Sequence, residues 1–127
     1  MAFDWREFIE VGRFVCGGSE DADFSQEAGE RCAVSRAYFA AFCLTRNFAM
    51  KRFGFVPKYE PEDHTELRVL LQDKIRIRLA GCLNQLRFNR NYCDYEDREG
   101  EDFEKDTNAM YRDSDKIAQE VLGLLTW

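Results

Sequence analysis

The stretch of this sequence best suited to chemistry is RFNRNYCDYED, residues 87–97, which sets arginine, asparagine and tyrosine beside carboxylates. It follows directly on the apolar-rich run LAGCLNQL. At about 100° per residue, the helical line through Leu79, Cys82 and Leu86 continues to Arg90. Arg90 is therefore predicted to project from a buried seam, where an unpaired charge costs several kcal/mol. It needs a partner, and two kinds of partner fit.

One kind of partner is a carboxylate of the protein itself. Asp94 follows Arg90 by one helical turn and lies on the same face, and Glu27 or Glu30 of an earlier helix are further candidates. An ion pair of this kind, within the bundle or across a dimer interface, would give Arg90 a purely structural role.

The other kind of partner is a phosphate group. A guanidinium offers a planar fork that matches phosphate oxygens, and Arg87 lies one turn before Arg90. Asn91 and Tyr95 add neutral hydrogen-bonding groups. A phosphodiester held in this way can be cleaved without a metal if a neighbouring group removes the proton of the ribose 2′-hydroxyl. Histidine usually does so because its pKa lies near neutrality, and this stretch contains no histidine.

Helical signals run from end to end of the chain and must position these residues. A long second helix is capped by Asp23 or Ser25 and ends at Gly54, and a short third helix begins at Asp63. A fourth runs through KIRIRLAGCLNQLRFNRNYCDY, and the acidic loop EDREGED separates it from the last helix. The sequence predicts an all-α, antiparallel up-and-down bundle of about four to five helices, in a single domain over residues 1–127.

Two of these helices carry apolar stripes that predict their buried faces. The stripe of the second helix is so wide that this helix must be covered on several sides. It comprises Ala28, Cys32, Val34, Tyr38, Phe39, Phe42, Leu44, Phe48 and Met50. The stripe of the fourth helix comprises Ile75, Leu79, Cys82, Leu83 and Leu86.

Composition limits the classes of protein. A formal charge of −6, from 18 Lys and Arg against 24 Asp and Glu, means that RNA would be met only through a local basic patch or a partner subunit. The five cysteines never form C-x-x-C, so we expect reduced thiols, no metal and a cytoplasmic location. We expect no cofactor. Neither a signal peptide nor a membrane span is predicted.

Three stretches together resemble the HEPN domains of bacteria and archaea: SRAYFAAF in the second helix, EDHTELRVLL in the third, and LNQLRFNRNYCDYED in the fourth. The resemblance extends from about residue 4 to about residue 125. It is closest to a subgroup whose fourth helix ends in R-x-x-x-D-Y, matched here by Arg90, Asp94 and Tyr95.

The resemblance implies a homodimer in which the arginine motifs of two subunits face each other across a cleft. Many members are metal-independent ribonucleases of toxin–antitoxin, phage-defence or CRISPR systems, with an R-x(4–6)-H motif. Small members are often encoded beside a minimal nucleotidyltransferase that serves as partner or antitoxin. By this resemblance Arg90 is the motif arginine, Asn91 is the polar residue after it, and Tyr95 stands where ribonucleases have histidine. Tyrosine side chains ionise near pH 10, so a tyrosine is a poor general base at neutral pH.

Three further residues could support the motif. His64 is the only histidine of the chain. Either folding brings it to the Arg90 cleft as the missing acid or base, or it caps or lines the start of the third helix, which we favour. Tyr38 follows the core spacing of the second helix, so a core role with a satisfied hydroxyl is preferred over a role in the cleft. Ser35 is a polar group of the same stretch that could reach the motif.

Two functions of different classes remain open. The chain could be a metal-independent ribonuclease, with Arg90 on the scissile phosphate, Asn91 and Tyr95 orienting it, and a cyclic phosphate product. It could instead be a non-catalytic module that binds a nucleotide, RNA or a nucleotidyltransferase partner in the same pocket. The missing motif histidine favours the second function, whereas a polar cluster at a position suited to leucine keeps the first open.

Overall fold

The fold is that of a computed structural model, which describes residues 3–17, 23–96 and 106–125. Five helices are present in this part of the chain: α1 (Glu7–Gly17), α2 (Gln26–Phe53), α3 (Glu62–Asp73), α4 (Ile77–Tyr95) and α5 (Thr107–Leu124). The same ranges contain no β-strand. The predicted all-α helical bundle is therefore confirmed. Most of the predicted acidic loop, from residue 97 to 102, lies outside the described residues.

The ends of α2 form as the sequence predicts. The Ser25 hydroxyl accepts a hydrogen bond from the backbone N–H of Ala28, at 3.1 Å. At the other end Gly54 takes the left-handed conformation, with φ 69°, which costs glycine little because it has no Cβ. The choice between Asp23 and Ser25 is thus resolved in favour of Ser25.

Helix α3 begins at Glu62, one residue before the predicted Asp63. Asp63 does not cap the helix, which begins after Pro61 without a side-chain hydrogen bond at its N-cap. The carboxylate of Asp63 instead accepts hydrogen bonds from the backbone N–H groups of Lys58 and Tyr59, at 3.0 and 2.8 Å. Asp63 therefore organises the loop before α3.

The start of α4 was predicted too early. Ile75 has φ 59° and is 83% exposed, so it belongs neither to the helix nor to its buried face. The backbone N–H groups of Lys74, Ile75 and Arg76 bond to carbonyl groups of the last turns of α3. Because these amides complete α3, the chain turns here and α4 begins at Ile77.

The core forms around α2, which contacts α1, α3, α4 and α5. Its largest cluster joins Tyr38 and Phe42 of α2 to leucines of α3 and α4 and to Val121 of α5. Three predicted core residues of α2, Ala28, Cys32 and Met50, are exposed. The neighbouring helices are met by other positions of α2, mainly by small residues: Gly29, Ala33, Ala37, Ala40, Ala41 and Ala49.

Candidate functional site

A cleft of about 490 Å³ brings together residues of α2, α3, α4 and the loop before α3. Four of the residues predicted for the site line it: His64, Arg87, Arg90 and Tyr95. The other lining residues are Phe39, Phe42, Tyr59, Glu60, Pro61 and Asp63. Residues from Phe39 to Tyr95 thus share one concave surface, and its size suits a small ligand.

Arg90 lies in this cleft with few protein contacts of its own. Its side chain is 23% exposed, and its Nε lies 3.9 Å from Asp94 Oδ2, which is too long for a hydrogen bond. That Nε is buried and has no hydrogen-bond partner within the described residues. The guanidinium carbon lies 4.9 Å from the centre of the Tyr38 ring, an arrangement that favours a cation. Arg90 is therefore positioned by a ring and a distant carboxylate.

The carboxylates of α2 that were considered as partners of Arg90 have other partners. Glu30 is buried and accepts hydrogen bonds from Thr107 and Asn108 of α5. Glu27 lies 3.9 Å from Arg31. The prediction that either of them pairs with Arg90 was wrong, because the first turns of α2 face α5 and the end of α4.

Ser35 and Asp94 connect α2 to the end of α4. The Ser35 hydroxyl donates a hydrogen bond of 3.4 Å to Asp94 Oδ2, the oxygen that faces Arg90. Ser35 therefore helps to orient the one carboxylate that the described residues offer to Arg90. Asn91 is half-buried on the next position of α4 and is not part of the cleft lining.

His64 and Tyr38 form a hydrogen-bonded pair beside the arginines. The Tyr38 hydroxyl is bonded to His64 Nδ1, and the Phe42 ring stacks on the imidazole with centres 3.9 Å apart and planes 17° apart. Tyr38 is buried, with 1% of its surface exposed. His64 lies at the start of α3 and also lines the cleft. The two positions considered for His64 are thus one and the same place.

The protonation states of this pair follow from burial and from the neighbouring cations. Burial raises the pKa of Tyr38 to about 12, so the phenol keeps its proton. Burial, and then repulsion by Arg90, Arg87 and Arg68, lowers the pKa of His64 to about 4. At neutral pH both groups are therefore uncharged, and the tautomer of the imidazole sets which of the Tyr38 hydroxyl and Nδ1 is the donor of their shared hydrogen bond.

Three arginines give the cleft a local positive potential in an acidic protein. Arg87 and Arg90 line it, and Arg68 is close enough to shift the pKa of His64. The pKa of Arg68 is lowered by burial and by repulsion from Arg87. Of the two carboxylates in the lining, Asp63 is engaged by two backbone N–H groups. Such a cluster of cations favours an anionic ligand.

Tyr95 and Tyr59 supply exposed aromatic rings to the same cleft. Each is 75% exposed, and each lines the cleft. Tyr95 was singled out from the sequence through its motif position, whereas Tyr59 was not. Its one signal was the pair of prolines in VPKYEPED, which indicates a constrained loop but gives no direction for the ring.

Two polar groups near the site, the buried Asn89 and the half-buried Arg31, were also missed by sequence reasoning. Asn89 donates hydrogen bonds to Asp113 and Ser114, at 3.2 and 3.0 Å, and thereby fixes α4 against α5. Arg31 donates to the carbonyl groups of Tyr92, Cys93 and Glu96 at the end of α4. Asn89 lies on the same helical face as Leu86 and Cys93, and this spacing could have predicted that its side chain is buried.

The described ranges contain no group of three or more His, Cys, Asp or Glu side chains arranged to hold a metal ion. The five cysteines are free thiols, four of them buried and Cys32 exposed. No helix in the same ranges combines the length and the apolar character that a membrane span requires. No protein-family model, curated protein or solved structure matches this chain.

Proposed function

We propose that this protein binds the phosphate groups of RNA or of a nucleotide in the Arg90 cleft. The observation that carries the proposal is the state of Arg90, a half-buried cation without a hydrogen bond in the described residues, beside Arg87 in one concave surface. The exposed part of the Arg90 guanidinium and Arg87 would donate to phosphate oxygens. In the tautomer with its proton on Nε2, the neutral His64 adds a further donor.

Phosphate binding is tested by titrating AMP and a short single-stranded RNA against the wild type and Arg90→Ala. We expect the variant to bind roughly 10- to 100-fold more weakly, because charge-assisted hydrogen bonds are lost. Arg112→Ala is the matched control, since Arg112 is an exposed arginine of α5 outside the cleft lining. Equal affinities of the wild type and Arg90→Ala would refute the proposal.

We propose further that the site binds without cleaving. A metal-independent ribonuclease needs a group that removes the 2′-hydroxyl proton, and one of the two ring nitrogens of the cleft histidine is already engaged by Tyr38. The presence of that histidine beside Arg90 is what keeps the ribonuclease as the second candidate. Incubation of labelled single-stranded RNA in EDTA decides between them. Products with 2′,3′-cyclic phosphate ends that Arg90→Ala fails to produce would establish the ribonuclease.

The wider assignment that we propose is a HEPN-type protein of a toxin–antitoxin or phage-defence system. The support is the resemblance of three stretches, together with the meeting of Tyr38, His64 and Arg90, one residue from each stretch. The resemblance also implies a minimal nucleotidyltransferase as antitoxin or partner. A small nucleotidyltransferase encoded beside this gene would be tested by co-purification, and failure to associate would count against the partner.

A homodimer is part of the same proposal. At about 100° per residue, six positions of α4 form one outward stripe: Ile77, Gly81, Asn84, Phe88, Asn91 and Tyr95. Ile77, Phe88 and Tyr95 are 66%, 55% and 75% exposed. Large exposed side chains at the spacing of a helix–helix seam support pairing of α4 with its copy, and Tyr95, at the end of the stripe, also lines the Arg90 cleft.

A further inference from the structure

Tyr59 has an unusual backbone conformation for an aromatic residue. Its φ is 60°, in the left-handed region that side chains with a Cβ rarely adopt. Such conformations are unfavourable, and they persist where the surrounding structure enforces them, often at binding sites. The loop VPKYEPED therefore maintains Tyr59 in a position that local preference alone would not produce.

The buried Asp63 enforces this conformation. Its side chain is 3% exposed, and its two carboxylate oxygens accept hydrogen bonds from the backbone N–H groups of Lys58 and Tyr59. These bonds, with that of Lys58 first, lower the pKa of Asp63, so the carboxylate stays charged and the loop stays anchored at neutral pH. The anchor fixes the backbone of Tyr59 and directs its ring outwards.

The ring that is held in this way is not part of the core. Tyr59 is 75% exposed and lines the cleft that contains Arg87 and Arg90. The guanidinium carbon of Arg46 lies 5.9 Å from the ring centre, which places a cation near the ring as well. An exposed aromatic ring beside cations is the combination with which proteins bind an unpaired nucleobase and its phosphate together.

We infer that Tyr59 is a stacking platform for an unpaired nucleobase whose phosphate is held by Arg87 and Arg90. The inference rests on the proposed phosphate binding and specifies the ligand more closely. A free nucleotide and a single-stranded RNA present the same unit to such a site, whereas the bases of a duplex are stacked on each other and unavailable. The ligand is therefore a nucleotide unit with a free base face.

The test compares two ligands that differ only by the base, AMP and ribose 5-phosphate, in calorimetric titrations of the full chain. We expect the wild type to bind AMP more tightly. Tyr59→Ala should lose roughly 5- to 150-fold in AMP affinity, the usual effect of removing a base-stacking ring. Its affinity for ribose 5-phosphate should stay as it is. Tyr59→Phe should retain AMP binding, because phenylalanine keeps the stacking surface.

A second variant separates stacking from folding. Tyr59→Gly removes the ring but suits the positive φ, so we expect unchanged or higher stability together with the same loss of AMP affinity. Phe14→Ala is the control for a generally exposed ring, since Phe14 is 78% exposed on α1 and outside the cleft lining. A short oligoadenylate titrated beside AMP then distinguishes strand from free nucleotide, and its duplex with oligouridylate should bind more weakly because its base faces are covered.

The outcomes distinguish the two proposals. Equal wild-type affinities for AMP and ribose 5-phosphate, or unchanged AMP affinity in Tyr59→Ala, would overturn the stacking role. If Arg90→Ala still weakened both ligands in that case, the phosphate site would stand. Absence of any binding to the wild type would overturn both the stacking role and the phosphate site.

Discussion

The Tyr38 hydroxyl and His64 Nδ1 share a hydrogen bond, which engages one of the two ring nitrogens of the only histidine of the chain. Nε2 is then the ring nitrogen left for a ligand, and the tautomer decides whether it donates to a phosphate oxygen or accepts a proton from a hydroxyl. The phosphate site proposed above requires the first of these.

The lowered pKa of His64 makes stability depend on pH in a defined interval. The folded-state pKa of about 4 lies below the ordinary 6.5, so the unfolded chain takes up a proton first. The contribution of the neutral His64 to the free energy of unfolding is therefore complete above pH 6.5. It decreases as the pH falls towards 4, by at most about 1.4 kcal/mol per pH unit. We expect urea unfolding to show this slope, and His64→Gln to flatten it between pH 6.5 and 5. An unchanged slope in the variant would contradict the lowered pKa.

Ligand binding should raise the pKa of His64. Repulsion by Arg90, Arg87 and Arg68 is part of the cause of its low value, and a phosphate between these cations would offset that repulsion. Titration of the His64 side chain by NMR, with and without AMP, measures the change. Arg112→Ala should show the wild-type shift and Arg90→Ala a smaller one. A pKa that AMP leaves unchanged would mean that the anion binds elsewhere.

The elements and their ends were predictable where a single local rule applied. Ser25 as an N-cap and Gly54 as a left-handed C-cap each follow from the chemistry of one residue. The place of Ile75 was predicted wrongly, and the role of the Asp63 carboxylate was not predicted, because both depend on other parts of the chain. The carboxylate of Asp63 is used by the preceding loop, and Ile75 lies in the turn that completes α3. Local propensity does not predict contacts of this kind, because they are made in the tertiary structure.

For the site, the helical phase of Arg90 was informative, since it predicted a half-buried cation near Asp94. The meeting of His64 with Tyr38 was not predictable from spacing, because it depends on how α3 packs across α2. Tyr59 lies on a loop without periodicity. The direction of its ring is set by the hydrogen bond from its backbone N–H to the carboxylate of Asp63, and no pattern in the sequence predicts this contact.

Close packing of α1 on α2 depends on glycine. A Cβ added at Gly29 would lie 2.9 Å from the carbonyl oxygen of Val15, a backbone atom that cannot move away easily. We expect Gly29→Ala to lower the free energy of unfolding by about 1–3 kcal/mol. Gly123→Ala is the matched control, because a Cβ there meets no atom within 4 Å, and it should be neutral or stabilising by up to about 1 kcal/mol. Urea unfolding of both variants measures the difference, and equal stabilities would contradict the close approach.

The outward stripe of α4 predicts how the protein self-associates. Phe88, in the middle of the stripe, is 55% exposed, and a charge at this position would have to be desolvated in an α4 pair. We therefore expect the wild type to sediment as a dimer at micromolar concentration and Phe88→Asp to sediment as a monomer. Phe14→Asp, which changes an exposed phenylalanine of α1, should remain dimeric. A wild type that is strictly monomeric would refute the proposed dimer. A Phe88→Asp variant that stays dimeric would show that the interface does not involve this part of α4.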